Sequence, residues 1–285
     1  MLIDTHCHIQ FQAYKDDREA VIQRCQEKGM ILNIVGTQTD TSKLAVELAE
    51  QHDFMYASIG THPIHLHPTH VDEEETHFMS REEGFNEAHY EQLLRSKKVI
   101  GVGECGLDLW HVPKDKPVEE VLMKQKEVFL DHVKFAEKHD LPLVIHCRDA
   151  HDQMIELLKL YVAGPDHIPL LGKEGRHPPK AEAGVVDSWG VSRPSSYSTA
   201  STTPARLPAS GVVGEGPSFP RRGKLRGTVH CYTSDWTHAE QYLNLGLHLG
   251  FTGVITFPPK KTDPKRQLDL LEVVEKIPLD RVVVE

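Results

Sequence analysis

Leu143-Val144-Ile145-His146-Cys147-Arg148-Asp149 is a short apolar run that ends in an imidazole, a thiol, a guanidinium and a carboxylate. A strand that is apolar along its length and polar only at its carboxyl end suits a parallel sheet covered on both faces. The residues that follow, 151–161, have helical periodicity, so a strand and a crossover helix stand side by side. The same unit recurs along the chain. Strands are predicted at 2–5, 31–35, 55–59, 99–102, 143–146, 227–230, 247–251 and 281–285. Helices are predicted at 17–28, 42–52, 87–95, 119–139, 151–161, 236–245 and 265–276. Eight strands alternating with seven helices predict an α/β fold, a TIM-type (β/α)8 barrel that lacks its last helix.

Local signals agree with this alternation. Thr41-Ser42 and Ser234-Asp235 stand where helix caps belong. The apolar stripe Val121, Leu122, Val128, Phe129, Val133 and Phe135 in the long helix reads as packing against the barrel. Two segments interrupt the pattern. Residues 61–84 read as a His- and Glu-rich loop, with the acidic run 72–75 on its solvated surface. Residues 164–226 are rich in Pro, Ser, Gly and Thr and read as a flexible insertion in a single barrel spanning 1–285.

The 285 residues contain 39% hydrophobic and 26% charged side chains, the profile of a globular chain with room for a large core. No apolar run is long enough to span a membrane, and the stretch that opens Met1-Leu2-Ile3-Asp4 has no basic segment followed by an apolar one, so a secretion signal is not expected. Five cysteines without a CxxC pair do not form a disulfide framework, and a reducing cytoplasmic setting is expected. The net charge of −10 argues against a broad duplex-binding face, so a nucleic-acid substrate would be gripped locally.

The strand ends carry the chemistry. His6 and His8 are two apart, so both imidazoles fall on one face and suit one divalent ion. Taken alone, such a pair is as readily two surface histidines. Glu104 lies beside Gly103 at the end of the fourth predicted strand, where a carboxylate can bridge two ions or simply face solvent. His146 and His230 end the fifth and sixth strands, and each alone is more often a satisfied histidine than a ligand. In a closed barrel these four strand ends converge on one mouth, and their coincidence favours a metal centre. His and carboxylate donors suit Zn, Mn, Fe or Mg without choosing among them. Cys7, Cys105, Cys147 and Cys231 each sit one residue out of phase with a candidate ligand, so they face the strand–helix interface as small hydrophobes.

These motifs resemble the TatD family of metal-dependent deoxyribonucleases, within the amidohydrolase-like barrels. The resemblance rests on Ile3-Asp4-Thr5-His6-Cys7-His8, Gly60-Thr61-His62-Pro63, Val102-Gly103-Glu104-Cys105-Gly106-Leu107-Asp108, Leu143-Val144-Ile145-His146-Cys147-Arg148-Asp149, Val229-His230-Cys231-Tyr232 and the closing run through Val284-Glu285, in family order. It implies a two-metal hydrolase that degrades single-stranded DNA, and RNA as a further substrate, from the 3′ end. By position it implies His6 and His8 on the first ion, a bridging Glu104 at the catalytic centre, His146 and His230 on the second ion, and His62 and Arg148 on substrate phosphate. A guanidinium forks well onto phosphate oxygens. The local alternatives are a turn role for His62 and an acidic partner for Arg148.

Two departures from the family stand out: the long 164–226 insertion, and the stop at Glu285, where the family continues Thr-Asp-Ala-Pro with a further ligand Asp. The expectation that follows is an impaired, truncated nuclease. Two other readings share the ligand set: an esterase or amidase such as a D-aminoacyl-tRNA deacylase, and an inactive metal- or nucleic-acid-binding fragment.

Overall fold

The computed structural model describes residues 2–68, 70–73, 76–79, 82–164, 225–259 and 261–285. The predicted insertion therefore lies almost entirely outside the described residues. The described chain runs β1 (Leu2–Cys7), α1 (Arg18–Glu27), β2 (Met30–Val35), α2 (Thr39–Glu50), β3 (Met55–Ile59), β4 (His70–Glu73), β5 (Thr76–Met79) and α3 (Glu87–Leu93). It continues through β6 (Val99–Asp108), α4 (Val118–Lys138), β7 (Leu143–Arg148), α5 (His151–Ala163), β8 (Gly227–Val229), α6 (Trp236–Asn244), β9 (His248–Phe251), α7 (Pro264–Lys276) and β10 (Val282–Val284).

Eight strands form one sheet in the order β1-β2-β3-β6-β7-β8-β9-β10, and every neighbouring pair is parallel. The two ends of this sheet meet, since Thr5 Oγ1 of β1 donates to the Val284 carbonyl of β10 at 2.9 Å. The result is a nearly closed TIM-type barrel with helices between its strands, as the alternation predicts. No helix among the described residues is long and apolar enough to cross a membrane.

The strands read as continuous apolar runs because both of their faces are covered. Ile34, Val35, Ala57, Ile59, Val102, Leu107, Ile145, Val229 and Leu249 are at most 1% exposed. Each such aliphatic side chain contributes roughly 1.5–3 kcal/mol by leaving water. From α4, Val121, Phe129, Val133 and Phe135 enter the core as the stripe predicts, while Leu122 and Val128 are only half-buried. Inside the barrel Asn33 donates to the Thr5 carbonyl at 3.0 Å and meets Ser58 Oγ at 3.0–3.1 Å, bracing β1, β2 and β3 with a satisfied polar pair.

Three local readings need correction. Residues 61–84 are not simply a loop, because β4 and β5 form an antiparallel hairpin that pairs Val71 with Phe78. Four-residue strands are too short for a periodic signal to stand out from a polar background. The acidic run 72–75 likewise begins inside β4. Helix α2 starts at Thr39 rather than after Thr41, because Thr41 Oγ1 accepts the N–H groups of Thr37 and Gln38 at 2.9 Å from within the first turn. Asp235 does cap α6, accepting from His238 N at 3.0 Å.

Helix α4 also anchors the loop after β3. His132 Nδ1 donates to the Val128 carbonyl at 2.8 Å, which leaves Nε2 to accept Thr61 N–H at 2.9 Å. The Thr61 hydroxyl meets Tyr90 Oη at 2.8 Å. Burial pushes the His132 imidazole down to about 4. An unfolded histidine titrates near pH 6.5, so the native state excludes a proton that the unfolded state accepts between those values. The contribution of His132 to stability is complete above about pH 6.5 and declines by about 3 kcal/mol as pH falls toward 4. Chemical denaturation at about pH 7.5 and about pH 5 should therefore show a smaller pH-dependent loss for His132→Gln than for the unaltered chain. Equal losses in the two proteins would remove His132 as the source.

Candidate metal centre

The carboxyl ends of five barrel strands deliver the polar groups. His6 lies in β1 and His8 just beyond it, with their Nε2 atoms 3.1 Å apart. His62 follows β3, Glu104 and Asp108 lie in β6, His146 and Arg148 lie in β7, and His230 follows β8. Strand β6 runs six residues beyond its predicted end at 102, to Asp108, and so places Glu104 inside the barrel rather than on a loop. Its glycines permit this. A Cβ on Gly106 (φ +155°) would meet the His146 carbonyl oxygen, and one on Gly103 (φ +143°) would lie 2.3 Å from the Val144 oxygen. Only glycine lets β6 approach β7 so closely in this conformation.

Glu104 sits at the middle of the cluster, and its side chain is only 4% exposed. Its two oxygens face different partners. Oε2 lies 3.2 Å from His6 Nε2 and 3.6 Å from His8 Nε2. Oε1 lies 3.0 Å from His146 Nδ1, 2.6 Å from His230 Nε2 and 3.2 Å from His62 Nε2. By distance alone, the possible ligand atoms fall into the triads His6–Glu104–His230 and His62–Glu104–His146, each within 4.8 Å. Proton placement is the better guide, because a ring nitrogen that carries a proton has no lone pair for a metal.

That criterion separates the histidines. His8 Nδ1 is 2.8 Å from the Val35 carbonyl, which only accepts, so the proton is on Nδ1 and Nε2 is bare. His146 Nε2 is 3.1 Å from Asp108 Oδ2, which leaves Nδ1 bare. His230 Nδ1 faces Glu285 Oε2 at 3.6 Å, too long for a hydrogen bond, while Nε2 lies 2.6 Å from Glu104 Oε1, so no partner outside the cluster fixes its proton. His62 is the reverse case. Its Nδ1 accepts Ile64 N–H at 3.1 Å, so Nε2 carries the proton and acts as a donor. In their neutral forms His8 and His146 thus turn unprotonated nitrogens to Glu104 and His62 turns a protonated one, while His6 and His230 complete the ring of imidazoles around the two carboxylate oxygens. His146 Nδ1 and His230 Nε2 are 3.2 Å apart and both lie against Glu104 Oε1. Imidazole nitrogens gathered around one buried carboxylate are a donor set that fits a bound divalent cation.

The electrostatics point the same way. Burial pushes the Glu104 carboxyl up, but the imidazoles of His230, His62 and His6 outweigh it and hold the group well below the usual carboxylate range. Burial pushes His146 and His230 down, but hydrogen bonds and charge from Asp108 and Glu104, and for His230 from Glu104 and Glu285, raise both above the ordinary imidazole value. The cluster thus attracts positive charge, whether protons or a divalent ion. His8 departs from this pattern: burial and then the neighbouring His6 lower it to about 4.

All five candidate ligands and His62 meet here. Arg148 lines the same mouth, with Cζ 4.9 Å from the Trp110 ring centroid. Asp149, the acid next to Arg148 in sequence, pairs with Arg266 at 3.4 Å. Two further acids stand beside the cluster, Asp108, to which the sequence reading assigns no role, and Glu285, which it keeps out of the ligand set. Asp108, 1% exposed, accepts from His146 and His111 through Oδ2 and from the N–H groups of Trp110 and His111 through Oδ1, at 2.8–3.1 Å. Gln125 of α4 clamps its backbone with two hydrogen bonds at 2.8–2.9 Å. Glu285 accepts Cys231 N–H at 3.0 Å behind His230. The signal for both is a carboxylate at a barrel strand end, the criterion that singled out Glu104. Cys105 and Cys147 are buried, and burial raises Cys7 and Cys147 to about 12, so these thiols stay protonated.

A family model described as TatD related DNase matches residues 3–285. YabD of Bacillus subtilis (strain 168), described as an uncharacterized metal-dependent hydrolase, is 30% identical over 287 residues, covering 100% of this chain and 79% of that protein. The 3′-5′ ssDNA/RNA exonuclease TatD of Erwinia tasmaniensis is 25% identical over 286 residues, covering 100% and 78%. Among solved structures, the TatD homologue YjjV of Escherichia coli K12 superposes with a TM-score of 0.63 at 24% identity, covering 100% of this chain and 78% of that one, and supports the barrel fold. With the matched model spanning nearly every residue, the chain belongs to the TatD-related DNase family of metal-dependent hydrolases.

Proposed function

We propose that the chain cleaves phosphodiester bonds at the 3′ end of single-stranded DNA or RNA, using two divalent ions that share Glu104. The observation that carries this reading is the division of labour among the histidines. Two imidazole pairs lie against opposite oxygens of one carboxylate, where an ion beside each oxygen could take up their nitrogens, while His62 offers a proton beside them. Zn, Mg, Mn and Fe all suit these donors. Divalent ions held there supply Lewis acidity, lowering the pKa of water and offsetting charge at phosphorus.

The protein's own groups have separable roles. Glu104 and the two imidazole pairs fix the positions of positive charge. His62 Nε2–H donates to a phosphoryl oxygen as negative charge grows on it. Arg148 pairs with a neighbouring phosphate oxygen. Asp108 orients His146 by accepting the proton of its far nitrogen, and the Glu285 carboxylate lies behind His230 as a nearby negative charge. The activity for which the Erwinia relative is named, 3′-5′ exonuclease action on ssDNA and RNA, supports a nucleic-acid substrate over an ester.

Degradation of a 3′-labelled single-stranded oligonucleotide tests the proposal. Cleavage should stop on chelation and return with Mn, Zn or Mg, and Glu104→Gln should abolish it. Metal-dependent hydrolysis of ester substrates with none of the oligonucleotide would favour the deacylase alternative. The proton assignments predict distinct defects for two histidines. His8→Ala should lower bound metal, whereas His62→Ala should retain metal and lose about 100- to 1,000-fold in turnover. Metal loss in the His62 variant would return His62 to the ligand set. Asp108→Asn should weaken metal binding or activity by about 10- to 100-fold, read from metal content and initial rates.

A further inference from the structure

Trp110 is the largest side chain at the mouth that the proposed chemistry does not use. It remains 58% exposed, although its neighbours Asp108 and His111 are drawn inward. An indole this exposed gives up apolar burial unless something else covers it. Its backbone is fixed, because Trp110 N–H donates at 2.8 Å to Asp108 Oδ1 and the other oxygen of that carboxylate holds His146. Its ring is oriented by Arg148, whose guanidinium carbon lies 4.9 Å from the ring centroid. The mouth itself is a cavity of about 740 Å³, flanked by Val254, Leu270 and the cation of Arg266 as well as by the metal cluster. That volume exceeds what one phosphate needs and fits a drug-sized organic group.

From this placement we propose that Trp110 is a stacking platform for a nucleobase flanking the scissile phosphate, and so sets a preference for strands that carry bases at the cleaved end. The proposal rests on the phosphodiester reading. A flat π surface beside a guanidinium accepts any base, because every base has a π face and none of its edges has to be read. One base stacked on Trp110 places its own phosphate toward Arg148 and His62. The contact therefore acts through positioning and shows no choice among the four bases.

The test uses the full chain with metal and two single strands, one intact and one whose last two nucleotides lack bases (tetrahydrofuran spacers). Each is cleaved by the unaltered enzyme, Trp110→Ala and Trp110→Phe. The unaltered enzyme should lose about tenfold in kcat/KM when the bases are removed. Trp110→Ala should lose about tenfold on the intact strand and show little further loss on the base-free strand, because the two changes delete one contact. Trp110→Phe should recover most of the rate, and melting temperature and bound metal should not change. Independent, multiplying losses, or an alanine variant as active as the parent on the intact strand, would overturn the platform while leaving the nuclease reading in place. An unaltered enzyme that cleaves neither strand overturns the nuclease reading, and this inference with it.

Discussion

A single buried carboxylate surrounded by imidazoles is the interaction on which the rest of this molecule depends. Glu104 lies almost out of reach of water, where an unpaired charge would be very costly. It is tolerated because nitrogen atoms from four other strand ends lie within 2.6–3.6 Å of its oxygens. None of those strands touches all the others, so only closure of the barrel brings them together. In that sense the site is a demand on the fold, and the glycines of β6 are the steric response to it.

The second rank of contacts explains why the geometry is rigid. Asp108 is held by Gln125 from α4, and Thr61, one residue before His62, is held by His132 from the same helix. One helix outside the barrel thus braces both the acid behind His146 and the donor His62. Because each brace ends on a backbone group rather than on a side-chain tip, it restrains the strand end itself.

Much of this was legible in the sequence, for a physical reason. Parallel strands covered on both faces appear as unbroken apolar runs, and the residue that ends each run marks the barrel mouth. His6, His8, Glu104, His146 and His230 were found that way. The hairpin of β4 and β5 was not, because its strands are too short for periodicity to register. Asp108 lay inside a stretch singled out for Glu104, but its contact with His146 depends on β6 continuing six residues past its apolar run. The pairing of Thr61 with His132 joins positions 71 residues apart and leaves no local trace. Which histidines carry lone pairs and which a proton was also invisible, since it depends on Val35, Ile64 and Asp108 as partners.

The cysteines beside the ligands give the strand pairing a further meaning. In β1, β6 and β7, Cys7, Cys105 and Cys147 each adjoin a residue of the cluster, and adjacent residues of a strand point to opposite faces. A slip of one residue in any of these strands would withdraw an imidazole or carboxylate and present a thiol in its place. Sulfur donors favour softer metals than nitrogen and oxygen donors do. The glycines that let β6 lie so close to β7 therefore do more than save space: by fixing the phase of that pair they decide which chemical elements, oxygen and nitrogen or sulfur, Glu104 and His146 bring to the mouth.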